Sequence, residues 1–388
     1  MSQSQDAEII VAGSGLAGST VLRHLLSHPS TKQKEIIVVD RDHAPNNEKT
    51  WCFWSDEDDF TEALVAHRWG WITVADSTGV YRHKLEHHRY KCIRSEDYLK
   101  ACSIVIDAHP NVKRVQSDVV GFHTDGSKPV VKTSTGELRS TLVLQSIIKP
   151  ERIARQRTPI VLLQHFLGWE IETTHDAFDP EVAMFMDFRT DQKHGFAFVY
   201  VLPYSRRHAL IEYTLFTPST LPIEEYETAL RAYVGDVLNI SASDWNITRT
   251  EYGIIPMEDT RYDPWYLHGI LNMGMNGGQS KPSTGFTFSR VQHYALEVAK
   301  SIAKRSMQDL SQQSSSRFMK YDRLILWLLK ENPSVVPGIF VRLFNKNGAD
   351  RMFQFLDERT HLGQELAIMA STQWRHFFRA IWHSIIRK

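Results

Sequence analysis

Residues 8–13 (EIIVAG) form an apolar, β-branched run that reads as a buried strand. Small residues follow, and residues 19–26 then recur at helical spacing. A second β-branched run, residues 35–39, ends in Asp40. Residues 41–71 break the pattern and read as a loop-rich insert around Thr50-Trp51-Cys52-Phe53-Trp54. A helix is expected after Arg94, with Ser95 as N-cap and Glu96 and Asp97 in its first turn. Residues 130–133 and 138–144 alternate like short strands about Thr135-Gly136. Residues 155–260 predict a β-rich middle, in which 209–216 pairs with 196–202 across the turn 203–208. A glycine-rich turn and a helix occupy 268–308, residues 312–316 form a polar linker, and the chain from Phe318 onward is helical and aromatic. At the end, Trp374, Phe377, Phe378, Ile381, Trp382, Ile385 and Ile386 share one side of a predicted helix, with Arg375, Arg379, Arg387 and Lys388 off it.

The first strand and helix enclose Gly13-Ser14-Gly15-Leu16-Ala17-Gly18, a G-x-G-x-x-G turn. Gly13 permits the tight turn, Gly15 lets a pyrophosphate approach the backbone, and Gly18 lets helix and strand pack. The helix N-terminus favours phosphate, and Asp40, about 22 residues after Gly18, stands where an acid binds adenosine ribose hydroxyls. Strand, glycines, helix, second strand and terminal acid in that order indicate dinucleotide binding. Leu16 and Ala17 belong to the same cofactor turn, and Arg94 is taken as a further cofactor contact.

Composition narrows the classes. Lys+Arg and Asp+Glu are both 45, so no charge excess favours nucleic acid. Three cysteines, Cys52, Cys92 and Cys102, lack any metal or disulfide spacing and point to a reducing, cytoplasmic setting. The 18 histidines are scattered without an HxxxH or HExxH helix, so no metal site is expected. The polar N-terminus argues against a secretory signal, and no apolar run reaches the roughly 18 residues of a spanning helix.

The late turn 274–286 carries Gly274, Gly277, Gly278, Pro282, Thr284 and Gly285, whose bare backbone suits a flavin's ribityl chain and ring. An N-terminal nucleotide half-site, a central sheet, this turn and a helical tail match FAD enzymes of the hydroxylase–cyclase type. The expected class is α/β: a Rossmann-type FAD-binding domain (1–155 and 265–310), an inserted β-rich substrate domain (156–264), and a helical C-terminal region (317–388) in possible contact with a membrane surface.

Six motifs in order carry a family resemblance: residues 13–18, 50–54, Met186-Asp187-Phe188-Arg189, Tyr200-Val201-Leu202-Pro203, Leu210-Ile211-Glu212-Tyr213-Thr214, and the late glycine turn. With Phe355-Leu356-Asp357-Glu358 and residues 368–372 they make the chain resemble the flavin-dependent lycopene cyclases. Two departures stand out. Met275 occupies the place of the ribityl-binding Asp of hydroxylases, and Tyr213 that of a second Glu in the family's acidic motif. The resemblance implies reduced FAD as the active cofactor, NAD(P)H as external reductant only, and lycopene or a related linear carotenoid as substrate. The aromatic and basic stripe of 374–388 either packs on the protein's own core or attaches it peripherally to the cytoplasmic face of the inner membrane.

The expected acid is Glu212, placed by strand alternation on one face with Thr214, Leu210 and Phe216. Apolar neighbours raise a carboxyl's pKa and keep it protonated; the alternative is a strand Glu paired with Arg206 or Arg207. Phe196, Phe198 and Tyr200 form a facing aromatic stripe, either core or cation-stabilising. Asp187 with Arg189 is either a structural ion pair or a second catalytic group. The competing functions are a flavin monooxygenase or polyprenyl reductase, and a non-catalytic carotenoid-binding flavoprotein.

Overall fold

The computed structural model describes residues 5–45, 48–56, 59–148, 160–307, 310 and 314–372. A six-stranded sheet forms the nucleotide half, in the order Trp265–Leu267, Ile270–Asn272, Leu142–Gln145, Ile9–Ala12, Ile36–Asp40, Val112–Gln116. All its pairs are parallel except the first, so its central strands are covered on both faces, as parallel strands must be. Helices Leu16–Ser27, Ser95–Asp107 and Phe288–Lys304 bury one face through Val21, Leu25, Tyr98, Val291 and Val298. A small four-stranded sheet covers the other through Val131 and Leu138 against Ile10, Ile37 and Val143.

A seven-stranded sheet forms the second half, in the order Trp245–Glu258, Val161–Thr173, His208–Thr217, Phe196–Pro203, Val182–Asp187, Trp71–Asp76, Gly79–Lys84. Its central strand Phe196–Pro203 is buried at every position, because both faces are covered. Phe196, Phe198, Tyr200 and Leu202 pack toward the C-terminal helices. Ala197, Val199 and Val201 pack toward helix Ile223–Ala232 and the π turn Tyr233–Val237. The C-terminal helices are Ser316–Glu331, Val336–Asn347, Ala349–Leu356 and Leu362–Ala370. Among the described residues, no single helix is long and apolar enough to cross a membrane; one pair bent by 112°, Ser316–Glu331 with Pro333–Asn347, passes that test by length and composition only.

The α/β class, the first strand–helix unit and the hairpin of 196–203 with 208–217 match the expectations, with Tyr200 opposite Glu212. Three local readings change. The insert 41–71 contains real strands: Thr50–Ser55 and His67–Trp69 pair with Arg89–Arg94 in a third sheet. The run 138–144 is two strands, because Gly136–Arg139 joins the small sheet and Leu142–Gln145 the parallel one. Ser95 lies inside its helix and not at the cap, its hydroxyl accepting the Lys49 N–H at 3.1 Å. The hairpin 71–84 pairs with Val182–Asp187, so the large sheet also draws on chain from before residue 155. The aromatic and basic stripe of 374–388 lies outside the described residues.

Candidate active site

Helix Leu16–Ser27 begins at Gly15 with no side chain capping it, so its first N–H groups face open space. Nothing lies within 4 Å of where a Gly15 side chain would begin, whereas a Cβ on Gly18 would fall 1.8 Å from the Gly13 carbonyl oxygen. The first glycine thus leaves a cradle empty and the second serves packing, as the motif requires. Beyond the helix start, Ser14, Gly15, Asp40, His43, Leu99 and Arg114 line a polar pocket of about 260 Å³. The Asp40 carboxylate accepts the Ser14 N–H at 2.6 Å and its hydroxyl at 2.9 Å, at the place where an adenosine ribose would lie.

Gly15 also borders a second, larger cavity of about 400 Å³. Leu16, Ala17, Ser146, Gly274, Thr284 and Gly285 form its wall nearest the nucleotide turn. Gly274 and Gly285 have φ of 65° and 72°, conformations that side chains rarely adopt, and a Cβ on Gly285 would meet Gln164 Oε1 at 1.9 Å. The Gln164 Oε1 and Thr284 Oγ1 atoms are buried without a protein partner. A bare cradle at a helix start, an acid-lined pocket beside it and two orphaned polar atoms along the glycine wall fit a dinucleotide whose ring end enters the cavity. Buried Lys281 braces this wall from behind, 3.1 Å from Asp322 and 2.9 Å from Glu358.

The rest of the lining is aromatic and acidic: Trp51, Tyr90, Phe166, Tyr200, Phe286 and Phe288 border the cavity together with Glu212 and Glu251. Glu212 opens onto the cavity but is enclosed by protein, and desolvation, then the charge of Glu251, raises its carboxyl well above the ordinary carboxylate range. The Thr214 hydroxyl donates to its Oε1 at 2.9 Å. The alternative partners are engaged elsewhere, since Arg206 and Arg207 both pair with Asp176. Of the expected aromatic stripe, Tyr200 reaches the cavity, while Phe196 and Phe198 pack against Phe188 and Phe216. A second, almost wholly apolar chamber of about 100 Å³, walled by Phe318, Tyr321, Phe340, Met352 and Phe355, shares Thr284 with the first.

Several expected residues lie elsewhere. Asp187 is fully buried on the opposite sheet face, paired with Val199, with the Tyr233 hydroxyl donating to it at 2.7 Å and Arg189 at 2.6 Å. It is a structural ion pair and does not border the cavity. Arg94 borders neither of these two cavities; it grips Glu170 with two N–H donors at 2.6 and 3.1 Å. Gly278 and Pro282 line a separate groove beside Tyr262, and Gly13 and Gly277 border neither cavity. Glu251 is the residue that the sequence reading missed. Among the described residues, no group of His, Cys, Asp and Glu is arranged to hold a metal ion.

A family model described as lycopene cyclase protein matches residues 8–382. A lycopene beta-cyclase from Pantoea ananas is 24% identical over 314 residues, 77% of this chain and 73% of that one. Among solved structures, p-nitrophenol 4-monooxygenase from Pseudomonas putida has a TM-score of 0.62 at 12% identity, covering 91% of this chain and 97% of the other. A geranylgeranyl bacteriochlorophyll reductase-like protein from Thermoplasma acidophilum has a TM-score of 0.58 at 11% identity, covering 98% and 96%. At such identities the two structures share the fold and nothing finer.

Proposed function

Because the chain belongs to the lycopene cyclase family, we propose that it is an FAD-dependent lycopene beta-cyclase, closing the linear ends of lycopene or a related carotenoid into beta-ionone rings. The observation that carries this reading is a desolvated carboxyl, Glu212, facing an aromatic cavity that shares Gly15 with the nucleotide pocket. Ring closure adds a proton to a terminal alkene carbon, lets a neighbouring double bond capture the cation, and releases a different proton. Glu212 supplies the first proton, which a desolvated carboxyl retains to neutral pH. The faces of Trp51, Tyr90, Tyr200 and Phe286 attract the passing cation, each by about 0.5–2 kcal/mol, and an apolar enclosure keeps water from capturing it.

The Gly15 cradle and Asp40 would hold the pyrophosphate and ribose of FAD, and Gly274, Thr284 and Gly285 its ring end. When bound and reduced, the flavin would supply negative charge that stabilises a cation. Substrate and product are isomers, so NAD(P)H serves only to reduce the flavin beforehand. The second apolar chamber supports a substrate longer than the first cavity. A hydrocarbon substrate of this kind resides in the bilayer, which supports a peripheral position for the protein, read here as the cytoplasmic face of the inner membrane.

The test is anaerobic: purified protein, chemically reduced FAD, lycopene in liposomes and no nicotinamide. Several turnovers to a cyclic product of unchanged mass are expected, and none from Glu212→Gln that still binds FAD. A product heavier by oxygen or hydrogen, or conversion that halts after one flavin's worth of electrons, would make the protein an oxidoreductase.

A further inference from the structure

We propose that Glu251 and Glu212 act as one two-carboxyl unit holding a single proton, with Glu251 the positioning residue that keeps that proton on Glu212. This rests on the reading of Glu212 as proton donor. The two acids come from strands that never touch. Strand Val161–Thr173 lies between them, and Gly168 on it pairs with Glu212 on one side and Glu251 on the other. A Cβ on Gly168 would stand 3.0 Å from Glu251 Cγ and 3.4 Å from Glu212 Cβ. The missing side chain is therefore what lets the carboxyls meet over the middle strand.

Their surroundings are unequal, which decides where the proton sits. Glu251 is 3% exposed, accepts the Thr50 hydroxyl at 2.9 Å, and lies 3.0 Å from the Arg249 guanidinium. Glu212 has a threonine hydroxyl and Glu251 itself. Lys49 is the cation acting on Glu212, and its ammonium donates to the Tyr252 carbonyl. Tyr90, Tyr200 and Cys52 also face the pair, and burial holds their protons in place. Behind Arg249 stands Glu170, itself bound by Arg94 and near His208. Charge compensation thus puts the shared proton on Glu212 and leaves the negative charge on the side of Arg249. The orphaned Gln164 Oε1, on the strand that carries Gly168, and Thr284 Oγ1 mark the same cavity as one built for a ligand.

In a turnover the Glu212 O–H bond breaks as the alkene C–H bond forms, which leaves two adjacent carboxylates. Their repulsion makes the pair a base that recovers the proton the ring carbon releases. One proton leaves and one returns, with no net redox change.

The experiment compares pH–rate profiles and the infrared carbonyl band of a neutral carboxyl in the FAD-loaded parent, Glu212→Gln, Glu251→Gln and Glu251→Asp. Removing the charge at 251 lowers the pH at which Glu212 ionises, so in Glu251→Gln the alkaline limb of kcat should fall at least about one pH unit earlier. Activity should then be lost first at the alkaline end, by about tenfold where the parent is still fully active, and largely regained as pH falls, with the carbonyl band titrating away in step. Glu251→Asp keeps the charge and should keep the parental limb even if kcat drops. A parental limb and band in Glu251→Gln, or an equal shift in Glu251→Asp, would overturn the unit while leaving the Glu212 reading intact. A band and activity that survive in Glu212→Gln would instead remove the donor on which it rests.

Discussion

In the unfolded chain Glu212 ionises like any solvated carboxyl, whereas in the folded chain burial and Glu251 hold its proton well above that range. The folded state therefore binds more protons than the unfolded one between those two pH values, and stability falls as pH rises through that interval. Glutamine cannot ionise, and its amide still donates to Glu251. Glu212→Gln should thus be inactive yet melt a few degrees above the parent at alkaline pH, a chain of this length shifting by roughly 1 °C per kcal/mol. The gap should close below about pH 4, where both unfolded side chains are neutral. Calorimetry at the two pH values decides it, and an equal or lower Tm at alkaline pH would mean that the fold does not hold Glu212 protonated. This acid was legible in the sequence because alternation in 209–216 puts it on the face of Leu210 and Phe216. Glu251 was not. It follows Arg249 and Thr250 in a polar stretch, and its partnership exists only because Gly168 lies between two strands distant in sequence.

Arg94 shows how far position in the chain and position in the fold can part at the level of the element. It ends strand Arg89–Arg94 and precedes a helix, where a cofactor contact is plausible, but tertiary pairing turns its side chain to Glu170 on strand Val161–Thr173. Burial works against an ionised Glu170, yet the nearby His208 imidazole, 3.4 Å away, and hydrogen bonds from Arg94 and Arg249 hold its carboxyl below the usual range. The pair therefore ties the small three-stranded sheet to the large one. Arg94→Ala should destabilise by roughly 2–3 kcal/mol, below the 3–5 of a lone buried pair because Arg249 remains. FAD content and affinity should stay parental at temperatures where the variant is folded. Denaturant melts and flavin titration separate the two effects, and a loss of flavin without a loss of stability would return Arg94 to the cofactor site. The same contrast explains the strand 138–144: its alternation was readable, but the break at Ser140-Thr141 that sends its halves to different sheets is a tertiary matter.

At the scale of the whole molecule, the nucleotide turn was readable because strand, glycines, helix and acid are contiguous, while the cavity joins segments near 15, 50, 90, 164, 200, 212, 251 and 285 that only the fold assembles. The C-terminal helices pack on the large sheet and also face outward. Leu362 and Leu366, four residues apart on helix Leu362–Ala370, are 62% and 65% exposed, whereas Ile368 and Met369 of the same helix line the second apolar chamber. Two bare leucines beside an apolar chamber suit a helix that rests in a bilayer surface and admits a hydrocarbon from it. Burying both in lipid contributes about 3 kcal/mol or more, so Leu362→Asp with Leu366→Asp should weaken binding to anionic liposomes roughly 100-fold. Turnover of detergent-dispersed lycopene should stay within a few-fold of the parent, because neither side chain borders the cavity of Glu212. Co-sedimentation and product assays on one preparation read both quantities. Unchanged sedimentation would take this helix out of membrane contact, and a truncation after Ser371 would then show whether the aromatic and basic stripe beyond it does the binding instead.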